Sequence, residues 1–196
     1  PPGYSISWSG QYEYMQRAKE RLTYVIPITL AIILILLYIH FRSFAEVALI
    51  MGTLPLAFSG GLWLMYLYGF NFSVAVGVGF IALAGIAVEI GIIMLVYLNQ
   101  SYEKMLDECR KEAKLPDREM LVESVLHGAV MRLRPVVMTA TAIVAGLLPI
   151  FLGTGTGSEI MSRIAAPMVG GMISAVVLTL LVLPSLYFLM RSYQIT

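Results

Sequence analysis

One acid sits inside an apolar run long enough to cross a bilayer. From Val76 to Leu98 the chain carries a single carboxyl side chain, Glu89. A charge at that depth is costly, and residues that bear it characteristically face a bundle interior or a water path and move protons or ions. Glu89 is therefore the first candidate for chemistry, as a proton relay; a structural acid hydrogen-bonded to a neighbouring helix is the competing interpretation. Helical spacing places Ala82, Gly85, Ile86, Ile92, Ile93 and Val96 on its side. The small residues around it, Gly85 and Gly91 foremost, suit close helix packing, so the acid is expected to point into protein.

Methionine is the second signal, with twelve in the chain. A thioether is a soft donor suited to Cu(I) and Ag(I) and poorly suited to magnesium or calcium. Met161, Met168 and Met172 recur at i, i+7 and i+11, a stripe that could hand a soft ion along one helix. The same stripe is also what packing alone produces, since methionine fills irregular gaps. The lone cysteine, Cys109, allows no internal disulfide and no cysteine cluster for zinc. No nucleophile with an adjacent base is apparent, so an enzyme is not expected. No permanently bound cofactor is expected.

These residues need elements to hold them. With 59% hydrophobic and 13% charged residues and a mean hydropathy of +0.83, the chain is far more apolar than a soluble domain. The expected fold is an all-α integral membrane bundle of about five transmembrane helices. The first span runs roughly from Leu22 to Ile39. Between Glu46 and Glu89 lie about forty residues without charge, too many for one crossing and enough for two. A break at Tyr68-Gly69-Phe70-Asn71 gives spans near 45–66 and 72–98, with Trp63, Tyr66, Tyr68 and Phe70 as an interfacial aromatic belt. The fourth span covers about 136–152 and the fifth about 160–190. Pro27, Pro167 and Pro184 are tolerable in membrane helices.

Four segments follow: residues 1–21, the end of an extracytoplasmic segment with a lead-in helix; 22–98, spans one to three; 99–134, a hydrophilic connection; and 135–196, spans four and five with a short tail. Tyr4 to Trp8 alternates as a strand does. In the connection, Tyr102, Met105, Leu106 and Cys109 share one helical side and Leu121, Val125 and Ala129 another. Leu115-Pro116 breaks the pattern, and Asp117 is placed to cap the second helix. Two amphipathic cytoplasmic helices between the third and fourth spans are therefore expected. The opening Pro1-Pro2-Gly3-Tyr4 lacks the pattern of a signal peptide, and the chain looks like part of something longer.

Basic residues set the orientation. Arg42, Lys104, Arg110, Lys111, Lys114, Arg118, Arg132, Arg134 and Arg191 fall on one side of a five-span arrangement, against Arg17, Lys19, Arg21 and Arg163 on the other. The richer side is expected in the cytoplasm. No aromatic-basic surface motif accompanies these charges, so nucleic acid is not an expected partner. The glycines of residues 153–158 lack the Gly-Lys-Ser/Thr ending of a phosphate-binding loop.

Several motifs together resemble one family. Residues 85–98 around Glu89, Arg132-Leu133-Arg134-Pro135 with Met138-Thr139, Gly146-Leu147-Leu148-Pro149, and residues 158–172 from Ser158-Glu159-Ile160-Met161 to Gly171-Met172 are similar to the C-terminal membrane part of heavy-metal efflux pumps of the resistance-nodulation-division superfamily, nearest its copper- and silver-exporting subgroup. The opening Pro1-Pro2-Gly3-Tyr4 and residues 10–22 are similar to the segment preceding those spans. The resemblance implies a proton-driven homotrimer in the bacterial inner membrane, working with a periplasmic adaptor and an outer-membrane channel. This chain would hold spans eight to twelve of twelve, the N-terminal transmembrane and periplasmic parts lying elsewhere. Glu89 takes the proton-relay position and Met161 the methionine that helps pass metal; Met168 and Met172 have no such counterpart. One departure stands out: copper and silver members often carry lysine directly after Arg134-Pro135, and here it is Val136. A drug or lipid exporter of the same superfamily, or a helical scaffold inert in isolation, are the alternatives.

Overall fold

The computed structural model describes residues 10–111 and 117–195. The alternating stretch at Tyr4–Trp8 and the break at Leu115-Pro116 lie outside the described residues. Five helices appear, in the order α1 (Gln11–Phe41), α2 (Phe44–Tyr68), α3 (Val74–Lys111), α4 (Arg118–Leu152) and α5 (Ser158–Ile195). Each is long and apolar enough to cross a membrane. The chain divides into two compact units, residues 1–43 and 44–196.

The first unit is α1. It contains Pro27 without a break and ends at Arg42, whose left-handed conformation (φ 52°) turns its N–H back to donate to the Tyr38 carbonyl at 2.8 Å.

In the second unit local chemistry sets the helix boundaries. Gly69 takes φ 65° after α2. Its N–H donates to the Tyr66 carbonyl at 3.2 Å and that of Phe70 to Met65 at 3.0 Å, the paired closure that a glycine just past a helix end allows. The Ser73 hydroxyl accepts from the Val76 N–H at 3.4 Å at the start of α3. Asp117 caps α4 as expected, its carboxylate accepting from the Arg118 N–H at 2.6 Å.

The hydrophilic connection differs from expectation. Its two amphipathic stretches are the ends of α3 and α4, not separate helices. Nothing between Leu98 and Lys111 interrupts α3, so the backbone ladder continues; at 1.5 Å per residue, 38 residues reach about 57 Å, well beyond the hydrocarbon core. The extensions pack on each other through buried Met105, Cys109, Leu121 and Val125. Cys109 Sγ lies 3.9 Å from Met120 Sδ, the Ser101 hydroxyl donates to the Ser124 carbonyl at 2.7 Å, and a side chain on Gly128 would meet the Tyr97 carbonyl at 3.2 Å.

The centre of the unit is α5 laid against α2 and α3. Gly60 and Gly170 bring α2 and α5 into backbone contact: a methyl on Gly170 would lie 2.6 Å from the Gly60 carbonyl oxygen, and one on Gly60 2.5 Å from that of Gly170. Gly79 does the same for α3 against the Ile164 carbonyl, and Leu83 fills the space over Gly171. With lipid as apolar as leucine, such close approach, and not a hydrophobic drive, holds membrane helices together. An apolar cluster of Ile90, Val136, Ala140 and Met172 joins α4 to α3 and α5.

Candidate functional site

Glu89 lies midway between two fixed points on α3. One face of the helix is buried along its length by Leu83, Ala87, Ile90, Gly91, Met94, Leu95 and Leu98. A quarter turn or more away, Val78, Ile81, Ala82, Gly85 and Glu89 form an exposed stripe. The acid therefore points away from the other helices of its own unit, because α2, α4 and α5 cover the remaining sides of α3. Among the described residues its carboxyl makes no hydrogen bond or ion pair.

The two flanking glycines behave differently. Gly91 faces α2, where an added methyl would meet the Thr53 hydroxyl at 3.4 Å and Ile50 at 3.6 Å; around Gly85 nothing lies within 4 Å. Val136, at the position where the resemblance expects lysine, is buried against Ile90, Ala140 and Met172. Its immediate neighbours there are apolar and suit an aliphatic side chain.

The methionines do not converge. Met161 is in the first turn of α5 and 56% exposed; Met172 is fully buried in the apolar cluster and Met168 is partly buried. Eleven helical residues separate Met161 from Met172 by about 16 Å, so they cannot bind one ion together. Among the described residues no group of three or more His, Cys, Asp or Glu side chains is placed to hold a metal.

Sequence reasoning missed a polar network that joins α2, α3 and α5 near the other end of their contact. Glu46 and Arg191 form an ion pair at 2.8 Å with side chains only 7% and 17% exposed. Asn99 sits between them: its Nδ2 donates to Glu46 Oε2 at 2.9 Å, and its Oδ1 accepts from Arg191 Nη2 at 3.0 Å and from the Tyr187 hydroxyl at 2.6 Å. Arg191 Nε donates to the Tyr187 hydroxyl at 3.1 Å. The guanidinium lies 4.7 Å from the Tyr102 ring centroid and 5.2 Å from that of Tyr187, close enough for cation–π attraction. A buried charge pair needs such supplementary hydrogen bonds to offset its desolvation. In sequence the two charges look like ordinary span-flanking residues; the available signals were the Tyr187-Arg191 spacing of four and an asparagine at the end of an apolar run.

Elsewhere the Arg132 guanidinium lies 4.4 Å from the Tyr97 ring centroid, and its Nε is buried without a hydrogen-bond partner among the described residues.

Five helices long and apolar enough to cross a membrane, packed through glycine contacts and carrying an unpaired mid-span acid on an open face, are those of a multi-span helical membrane protein. The chain belongs to the AcrB/AcrD/AcrF family, whose model matches residues 1–191. It is 52% identical over 186 residues to SilA of Salmonella typhimurium, covering 95% of this chain and 18% of that protein. To the cation efflux system protein CusA of Escherichia coli (strain K12) it is 49% identical over 189 residues, covering 96% and 18%. The crystal structure of a heavy metal efflux pump superposes with a TM-score of 0.77 at 38% identity, covering 98% of this chain and 18% of that one. The chain thus spans less than a fifth of the length of the relatives it matches, and the resemblance seen in its motifs is borne out.

Proposed function

We propose that the chain supplies membrane helices to a proton-driven exporter of soft monovalent cations, Cu(I) and Ag(I), with Glu89 carrying the proton. The observation that supports this best is the placement of Glu89: a lone acid at mid-span, without a partner in its own unit, in a chain that makes up 18% of relatives named as cation efflux proteins. Its relay partners then come from the rest of the pump. Met161, exposed at the start of α5, offers a thioether on the metal path, and Met168 and Met172 are secondary candidates whose burial favours packing. The α3–α4 extensions lie in the cytoplasm and the first residues outside it. By the family resemblance the complete pump is an inner-membrane homotrimer working with a periplasmic adaptor and an outer-membrane channel.

The test is substrate choice by the full-length parent reconstituted in liposomes. Proton-coupled export of Cu(I) and Ag(I), with little of Zn(II), Co(II) or an organic dye, is the expected result. Export of the dye without any metal would overturn the assignment in favour of a drug exporter.

A further inference from the structure

We propose that Asn99, held by Glu46, Tyr187 and Arg191, is the positioning residue that fixes the rotation and depth of α3 and so the direction in which Glu89 is presented; this rests on the function proposed above for that acid. Apolar side chains facing lipid-like surroundings discriminate weakly between rotational settings of a membrane helix. Hydrogen bonds discriminate strongly, because they fail within a fraction of an ångström of lengthening and beyond modest misalignment. Asn99 is where α3 makes such bonds to both neighbours at once: one donated to Glu46 on α2 and two accepted, from Tyr187 and Arg191 on α5. Sliding α3 by one residue, about 1.5 Å, or turning it by one position, about 100°, breaks all three.

The geometry between Asn99 and Glu89 makes this control effective. Ten residues, about 15 Å, separate them along one helix. Proline lies inside α1, α2, α4 and α5, but α3 has none and runs as one continuous helix, so the sharpest cause of a kink is missing from it. Ten residues on the other side of Glu89, Gly79 rests against the Ile164 carbonyl of α5. The acid thus stands at the middle of an unbroken rod pinned to α5 at both ends, by a steric contact at Gly79 and a directional one at Asn99. The glycine contact fixes distance and admits no side chain on that face; the asparagine adds a directional constraint at the far end.

The experiment reads the register of α3 beside Glu89 without using Glu89. In the full-length pump, Thr53→Cys and Gly91→Cys place two thiols across the α2–α3 contact, where the native Thr53 hydroxyl lies 3.4 Å from the position of a Gly91 side chain. Disulfide formation with diamide is timed in this background and again with Asn99→Leu or with Tyr187→Phe, which removes one hydroxyl and keeps the ring. Metal export is measured in parallel in each network variant with the native Thr53 and Gly91. Each substitution is expected to slow disulfide formation by about fivefold or more, the population shift that one net hydrogen bond is worth, and to lower kcat for metal export with KM for the metal unchanged. Unchanged disulfide rates in either variant that folds overturn the positioning role, whatever happens to transport. Slower disulfide formation with normal export supports the positioning of α3 but overturns its control of Glu89, whose proton role is tested separately by Glu89→Gln.

Discussion

Replacing Gly170 by alanine tests whether α2 and α5 are held by backbone contact. The added methyl would lie 2.6 Å from both the Gly60 carbonyl oxygen and the Leu64 Cβ. Ordinary contact between such atoms begins near about 3.5 Å, so the two helices must separate locally by roughly 0.9 Å. Neither obstacle is the far end of a flexible side chain; one is backbone and the other the root of a leucine. The separation also disturbs the Ser174 hydroxyl, which donates to the Ala57 carbonyl at 3.1 Å. Overpacking of a close contact costs about 1–3 kcal/mol, and here the whole α2–α5 seam shares the displacement. The control is Gly146→Ala in α4, where nothing lies within 4 Å and the gain in helix propensity makes the change neutral to about 1 kcal/mol stabilising. Thermal unfolding of the full-length pump in detergent ranks the two. Gly170→Ala should melt clearly below the parent and Gly146→Ala at or above it. Equal melting temperatures for the two variants would refute the account of the seam.

Met161→Leu keeps size and removes the sulfur, so copper or silver tolerance conferred by the full-length pump should fall while expression stays normal; unchanged tolerance reduces Met161 to packing. Orientation is open to thiol labelling, but native Cys109 is only 3% exposed and sits against Met120, which makes it a slow target. Glu108→Cys in a Cys109→Ser background places the thiol on the exposed side of the same turn. An impermeant maleimide should leave it unlabelled in intact spheroplasts and label it after lysis, and labelling before lysis reverses the assigned sidedness.

Much of this architecture is legible from residue patterns because membrane helices obey simple length and polarity limits. The uncharged stretch from Glu46 to Glu89 requires two crossings, and the break between them falls where Gly69 and Phe70 close α2. Asp117 announces the start of α4 for the same reason that it caps it. What escaped were features set by partners far away in sequence. The connection at 99–134 has helical periodicity, but periodicity alone does not tell a separate amphipathic helix from the continuation of a span. The side to which Glu89 turns depends on which faces of α3 the other helices take, and Gly85 and Gly91, similar in sequence, end on an open face and a packed one. The Glu46–Arg191 pair joins residues 145 positions apart, and each charge alone is indistinguishable from one that flanks a span in water.

The central claim is that Glu89 carries protons. Glu89→Gln preserves size and hydrogen-bonding capacity and fixes the side chain in a neutral state, so the full-length variant should fold and insert normally. Proton flux and metal export measured together in proteoliposomes of that variant decide the matter: the account predicts that both cease, and near-normal rates of both would contradict it.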